Sequence, residues 1–249
     1  MAEAFLVAEN LYKSFNDTKA VNGVSFSIHK GEIFGLLGPN GAGKTTTIRM
    51  LSTVLEPDHG DATIGDYSIR HNGNEARNLI GVCPQELALY EDLSALDNLI
   101  FFGRMAGLNA KEAKTQAVAN LELVGLTERA KGKIKKFSGG MKRRINMAIS
   151  LMGHPRFLFL DEPTVGIDPQ SRNNIYETIE GLRNNGITIL YTTHYMEEAD
   201  RLCNRIAIMD GGEIIRLGTP DELKSEIGSP EQVTLEDVFL NLTGRSIRD

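Results

Sequence analysis

The sequence predicts an α/β fold: a mainly parallel sheet, a strand-rich N-terminal segment and an inserted helical lobe. Three observations carry that expectation. The apolar run Ile33 to Leu37 leads into Gly38-Pro39-Asn40-Gly41-Ala42-Gly43-Lys44-Thr45, a strand-loop-helix junction of the form G-x-x-x-x-G-K-[ST]. Phe157-Leu158-Phe159-Leu160, bounded by Pro155 and Asp161, is an unbroken apolar run that suits a strand buried on both faces of a parallel sheet. Between these halves, from Ser94 to Gly153, the periodicity becomes helical.

Composition sets the outer bounds. A chain of 249 residues that is 41% hydrophobic can bury a full core. With 27 basic against 33 acidic residues the formal charge is -6, so the chain as a whole has no electrostatic footprint for nucleic acid, and any basic surface is local. Cys83 and Cys203 form no C-x-x-C, which fits a reducing compartment and small buried residues rather than catalytic thiols. Residues 1–10 lack a basic segment followed by an apolar one, and no run approaches the roughly 20 apolar residues that span a bilayer. The expected location is therefore the cytoplasm, with any membrane part supplied by another chain.

In chain order, Phe5 to Leu11 and Val24 to His29 alternate as half-buried strands do, with Asn22-Gly23 expected as the turn before the second. After the strand Ile33 to Leu37, Thr45 to Leu55 reads as a helix closed by Pro57 and Gly60. Ala62 to Tyr67 and Leu79 to Val82 are short strand candidates. In the helical lobe, Ser94 with Asp97 and Asn109 with Glu112 have the spacing of capping boxes, and Gly107 and Gly125 stand at helix ends. Asp168-Pro169 caps and starts a helix to about Arg183, followed by the strand Ile187 to Thr192. Arg205 to Met209 and Glu213 to Leu217 meet at Asp210-Gly211-Gly212. The tail carries two capped helices, opening at Thr219-Pro220-Asp221-Glu222 and Thr234-Leu235-Glu236-Asp237, with Gly244 as a stop.

The glycine-rich junction explains itself chemically. Glycines let successive backbone N–H groups close around phosphate oxygens, and the helix opening at Gly43 points its positive end at the same anion. Lys44 then reaches the β- and γ-phosphates, and the Thr45 hydroxyl reaches Mg²⁺. Asp161 at the end of an all-apolar strand is placed to share that Mg²⁺ shell, and Glu162 beside it to polarise an attacking water. A second anion site is expected where Ser138 caps the helix that follows Phe137-Ser138-Gly139-Gly140-Met141. One nucleotide needs one phosphate cradle. Two in one chain suit a head-to-tail dimer with ATP between one chain's loop and the other's Ser-Gly-Gly; alternatively, Ser138 only caps its helix.

Taken together and in this order, these elements resemble the nucleotide-binding subunit of ABC transporters over nearly the whole chain. The resemblance implies a P-loop nucleotide-hydrolase core with an antiparallel N-terminal β subdomain, divided as 1–86 and 154–218 for the core, 87–153 for the helical subdomain and 219–249 for the tail. It implies that Tyr12 stacks on adenine; that Gly38, Pro39, Asn40, Gly41, Ala42, Gly43, Lys44, Thr45 and Thr46 form the phosphate loop; and that Gln85 contacts Mg²⁺ and water. It further makes Ser138, Gly139 and Gly140 the signature, Asp168 part of a dimer-facing loop, and His194 the contact to the γ-phosphate. Met141 stands where many members carry Gln, and Phe137 where many carry Leu. The stretches 97–104, 141–144 and 235–240 resemble the exporter branch that includes the daunorubicin-resistance ATPases. The implied partners are a second copy or a related ATPase subunit, and separate permease subunits that hold the chain on the inner face of the cell membrane. Leu87, Leu89, Tyr90 and Leu93 are implied to form part of the groove receiving them.

Without the resemblance, Tyr12 reads as core at a strand end, Gln85 as a solvated loop residue and His194 as an ordinary strand-end polar residue. Lys131, Lys133, Lys135, Lys136, Lys142, Arg143 and Arg144 read as a solvated basic face, with the signature or anionic headgroups as further possibilities. A soluble relative acting in DNA repair would need a long heptad insertion, one acting in translation usually joins two such domains, and neither feature is present. A nucleotide kinase would leave the Ser-Gly-Gly helix start and Glu162 without a role.

Overall fold

Alternating apolar and polar positions build β1 (Ala4–Phe15) and β2 (Thr18–His29), an antiparallel hairpin in the computed structural model, which describes residues 3–244. The expected C-terminal tail beyond residue 244 lies outside the described residues. The hairpin reverses at Asn16-Asp17, with Asn16 at a left-handed φ of 51°, and not at Asn22-Gly23 as the sequence suggests. Asn22-Gly23 is a bulge within β2: Leu11 pairs with Val24 and Tyr12 with Asn22, which leaves Gly23 unpaired at φ 74°. An Asn-Gly pair suits a bulge and a turn equally, and only the pairing with β1 decides between them.

The fully buried β3 (Ile33–Leu37) delivers the glycine-rich loop to α1 (Lys44–Leu51). This helix ends before the expected Leu55. Thr53 turns left-handed at φ 62°, and the Arg49 carbonyl accepts from the N–H groups of both Val54 and Leu55 at 2.9 Å, closing the last turn well ahead of Pro57. The strand expected over Ala62 to Tyr67 is split by the turn at Gly65-Asp66 into β4 (His59–Ile64) and β5 (Tyr67–Ser68), with α2 (Gly73–Arg77) following. β1 lies between β2 and β4, giving the order β2-β1-β4-β5.

The chain divides into two compact units: Ile80–Ile187 is one, and the residues up to Leu79 and from Thr188 onward are the other. The middle unit contains β6 (Ile80–Cys83), α3 (Ala95–Met105), α4 (Ala110–Leu123), α5 (Gly139–Ser150), β7 (Phe157–Asp161) and α6 (Pro169–Asn184), with β6 parallel to β7. Asn109 and Glu112 form the expected capping box. At Ser94 the box is half formed: its hydroxyl accepts the Asp97 N–H, while the Asp97 carboxylate takes the hydroxyl proton. Leu99, Leu121, Ile134, Ile145, Ala148 and Met152 make a helical core, on which Phe137 and Met141 also pack.

The other unit resumes with β8 (Thr188–Thr193), α7 (Met196–Leu202), β9 (Arg205–Asp210), β10 (Glu213–Gly218), α8 (Pro220–Ser225) and α9 (Leu235–Thr243). β3 runs parallel to both β8 and β9, and β10 returns antiparallel to β9. Both tail helices carry full capping boxes, and Gly244 ends α9 at φ 71°. The fold is α/β, as expected, with an antiparallel N-terminal sheet and mainly parallel strands. Among the described residues no helix is long and apolar enough to cross a membrane.

Candidate active site

The glycine-rich loop is shaped by what stands behind it. A Cβ at Gly38 would lie 2.2 Å from the Met209 carbonyl oxygen, and one at Gly43, which has φ 103°, 2.3 Å from that of Ala20. Gly43 also occupies the cap position of α1, where no side chain caps the helix. Lys44 is buried, and its Nζ donates to the carbonyls of Gly38 and Pro39 at 2.7 and 3.0 Å, holding the ammonium across the loop. The hairpin turn at Asp210-Gly211-Gly212 braces the loop from below: the Gly212 N–H donates to the Ala42 carbonyl at 3.1 Å, and its own carbonyl accepts from Asn22 N–H. A backbone cradle at a helix N-terminus, with a lysine laid over it, is fit to hold phosphate groups.

In the same unit, Gly38 N–H donates to the Thr193 carbonyl at 3.3 Å, which brings the loop and the segment of His194 together. Thr193 and Tyr191 both donate their hydroxyls to the buried Glu198 carboxylate, at 2.8 and 2.7 Å, and Tyr195 N–H donates to the Thr193 hydroxyl. His194 is buried, with its ring 4.1 Å from that of Tyr195. Tyr12 is 37% exposed and meets His59 edge to face.

In the middle unit, Asp161 ends β7 and is buried, as is Glu162. Glu162 has φ 45°, a left-handed conformation that costs a residue with a Cβ of the order of 1 kcal/mol or more and that concentrates at functional sites. Gln85 Nε2 lies 3.4 Å from Glu162 Oε2, which brings those two candidates together. Ser138 caps α5 by accepting the Met141 N–H at 3.2 Å. Gly140 packs against α6 so closely that a Cβ would lie 2.4 Å from Ser171 Cβ, whereas one at Gly139 would meet only Ile167 Cδ1 at 3.6 Å. Asp168 caps α6, and hydrogen bonds from the Ser171 N–H and hydroxyl hold its carboxyl below the ordinary value.

Residues 21–165 match the family described as ABC transporter. The chain belongs to that family. It is 54% identical over 244 residues to the linearmycin resistance ATP-binding protein LnrL of Bacillus subtilis, covering 98% of this chain and 76% of LnrL. It is 41% identical to the daunorubicin resistance ATP-binding protein DrrA3 of Streptomyces coeruleorubidus, covering 92% and 72%. A solved structure described as the ATP binding subunit of an ABC transporter superposes with a TM-score of 0.83 at 27% identity, covering 96% of this chain and 99% of that one. The chain is thus an ABC ATP-binding subunit and an ATPase, of the daunorubicin-resistance-type branch that its motifs resemble, and an origin in DNA repair finds no support among these relatives.

Within this ABC subunit, the departures at Phe137 and Met141 are apolar side chains turned to the helical core, so they leave the Ser138 cap intact. Part of the basic cluster is tied to the chain itself: Lys135 pairs with Asp92 and Lys142 with Glu91 at the surface, and Arg144 donates to the Val124 carbonyl at the end of α4. Sequence reasoning passed over Thr193 and Glu198, saw in Gly212 only a turn residue, and read Arg143 as part of a solvated face, whereas Arg143 is buried against the Pro84 and Gln85 carbonyls. Arg143 and Asn146 share one face of α5 three positions apart, and that spacing on an otherwise buried face was the available signal.

Proposed function

We propose that this subunit binds ATP with residues 38–46, dimerises head to tail around two nucleotides, and drives separate membrane subunits that export a compound. Tyr12 stacks on adenine and Lys44 neutralises the β- and γ-phosphates. Glu162 takes a proton from the attacking water, and His194 contacts the γ-phosphate. The Thr45 hydroxyl, the Asp161 carboxylate and the Gln85 amide oxygen are hard donors of the kind that would hold Mg²⁺. When bound, Mg²⁺ offsets charge on the phosphate oxygens.

The observation that carries the dimer is the start of α5. Ser138 and Gly139 are exposed, and nothing among the described residues requires residue 139 to lack a side chain. An exposed helix N-terminus suits the phosphates held by a second copy. Export fits the resistance proteins LnrL and DrrA3, and on this reading permease partners hold the chain at the inner face of a membrane. For those partners the middle unit offers Leu87, Tyr90 and Leu93. Tyr90 is 50% exposed, is pinned at its backbone by both groups of the Asn98 amide at 2.9 and 3.0 Å, and stacks edge to face on Phe101.

The test is specific activity against protein concentration. A composite site gives a steep rise followed by a plateau; strict proportionality of rate to enzyme would rule out the dimer.

A further inference from the structure

Arg143 is 4% exposed and forms no ion pair among the described residues. Its Nη1 and Nη2 donate to the carbonyl oxygens of Pro84 and Gln85, consecutive residues, at 2.9 and 2.8 Å, while its Nε is buried without an acceptor. Three residues on, Asn146 Nδ2 adds a bond to the Pro84 carbonyl at 3.3 Å and one to Cys83 Sγ at 3.4 Å. A buried cation whose two amino groups go to carbonyl oxygens, with its Nε–H left unsatisfied, is a costly device for stability alone. What the arrangement does achieve is a rigid two-pronged grip by α5 on the backbone of Gln85.

We propose that Arg143 is a positioning residue that ties the signature helix to the glutamine facing Glu162. The path is short and continuous. Ser138 to Gly140 open α5, Arg143 lies one turn further along, its fork holds the Gln85 carbonyl, and the Gln85 amide stands 3.4 Å from Glu162 Oε2. Any tilt of α5 when its N-terminus meets a partner's phosphates is transmitted to the main chain of Gln85, and so to the distance between its amide and the Glu162 carboxylate. The guanidinium suits this because its two donors are fixed in one plane, whereas a lysine at 143 would hold one carbonyl at a time. The inference rests on the roles given to Gln85 and Glu162 above.

The test uses the full chain and the variants Arg143→Lys, Gln85→Ala and the double variant. Arg143→Lys is expected to keep KM for ATP, to lower kcat about tenfold, the low end of what residues supporting a catalytic group supply, and to speed amide hydrogen exchange at Gln85 and Glu86. In the Gln85→Ala background it is expected to cost nothing further. A loss that persists undiminished in that background, or unchanged kcat and exchange, overturns the proposal alone. Full turnover in Gln85→Ala overturns it through the reading on which it rests. Should Arg143→Lys not fold, Arg143→Gln, with one uncharged donor, is expected to give the same pattern in kcat and exchange, and the same contrary results overturn the proposal.

Discussion

Gly38 donates its backbone N–H to the carbonyl oxygen of Thr193 at 3.3 Å, so the first residue of the phosphate loop and the residue before His194 share a hydrogen bond. The register of β3 and β8, in which Leu37 pairs with Thr193, sets that bond. Gly38 cannot retreat from it, because the Met209 carbonyl stands directly behind. Gly38→Ala should therefore shift the loop backbone, cost about 1–3 kcal/mol as overpacking typically does, and weaken nucleotide binding together with turnover. Thermal unfolding and titration with a fluorescent ATP analogue check both effects.

Glu162→Gln preserves shape and removes the proton acceptor. ATP binding should persist while turnover falls at least about 100-fold, the range attributed to a positioned base, and a nucleotide-bound dimer should accumulate in gel filtration. Near-normal phosphate release would remove Glu162 from the catalytic role.

The two signature glycines should separate cleanly. Gly140→Ala drives a methyl group into Ser171 and should lower stability in the absence of any nucleotide. Gly139→Ala has room and gains helix propensity, by about 1 kcal/mol at most. Its stability should hold or rise, while ATP-dependent dimerisation and turnover drop. Equal loss of stability in both would contradict the assignment of residue 139 to a surface used between copies.

Burial pushes the Cys83 thiol up to about 11 from an ordinary 9.0, and Cys203 is raised by burial with Glu198 adding to the shift. The fold thus favours the neutral thiol. The stability this supplies is complete below pH 9 and is lost as pH rises towards 11. Neither cysteine should react with iodoacetamide in the native chain at pH 8, and labelling should follow global unfolding. Fast native-state labelling would place a cysteine outside the core.

Local signals were legible wherever the chemistry is local. Asn109, Asp168, Thr219 and Thr234 cap their helices as their spacing indicates, because a cap bond spans only two or three residues. Phe157 to Leu160 is a strand buried throughout, because an apolar run of that length has no solvent face to offer. The signals failed where two structures share one composition. Asn22-Gly23 is a bulge, and α1 stops at a left-handed Thr53 that has no glycine or proline to announce it. The contact of Gln85 with Glu162 joins residues 77 positions apart, and no periodicity reports such a pair.

By itself the sequence determined the chemical parts: a glycine-rich loop with Lys44 and Thr45, an acidic pair after an apolar strand, and a capped Ser-Gly-Gly helix start. Their residue types and short spacings are dictated by phosphate and water chemistry, which acts over a few ångströms along the chain. Only the tertiary structure decided what each part leans on. It showed that Gly38 and Gly43 are glycines because distant carbonyls back them, that Gly140 is filled by Ser171 while Gly139 is open, and that one arginine of a basic cluster is buried on Gln85. Packing joins residues by position in space, and a linear pattern of charge or hydropathy carries no record of which distant backbone atom will stand behind a given residue.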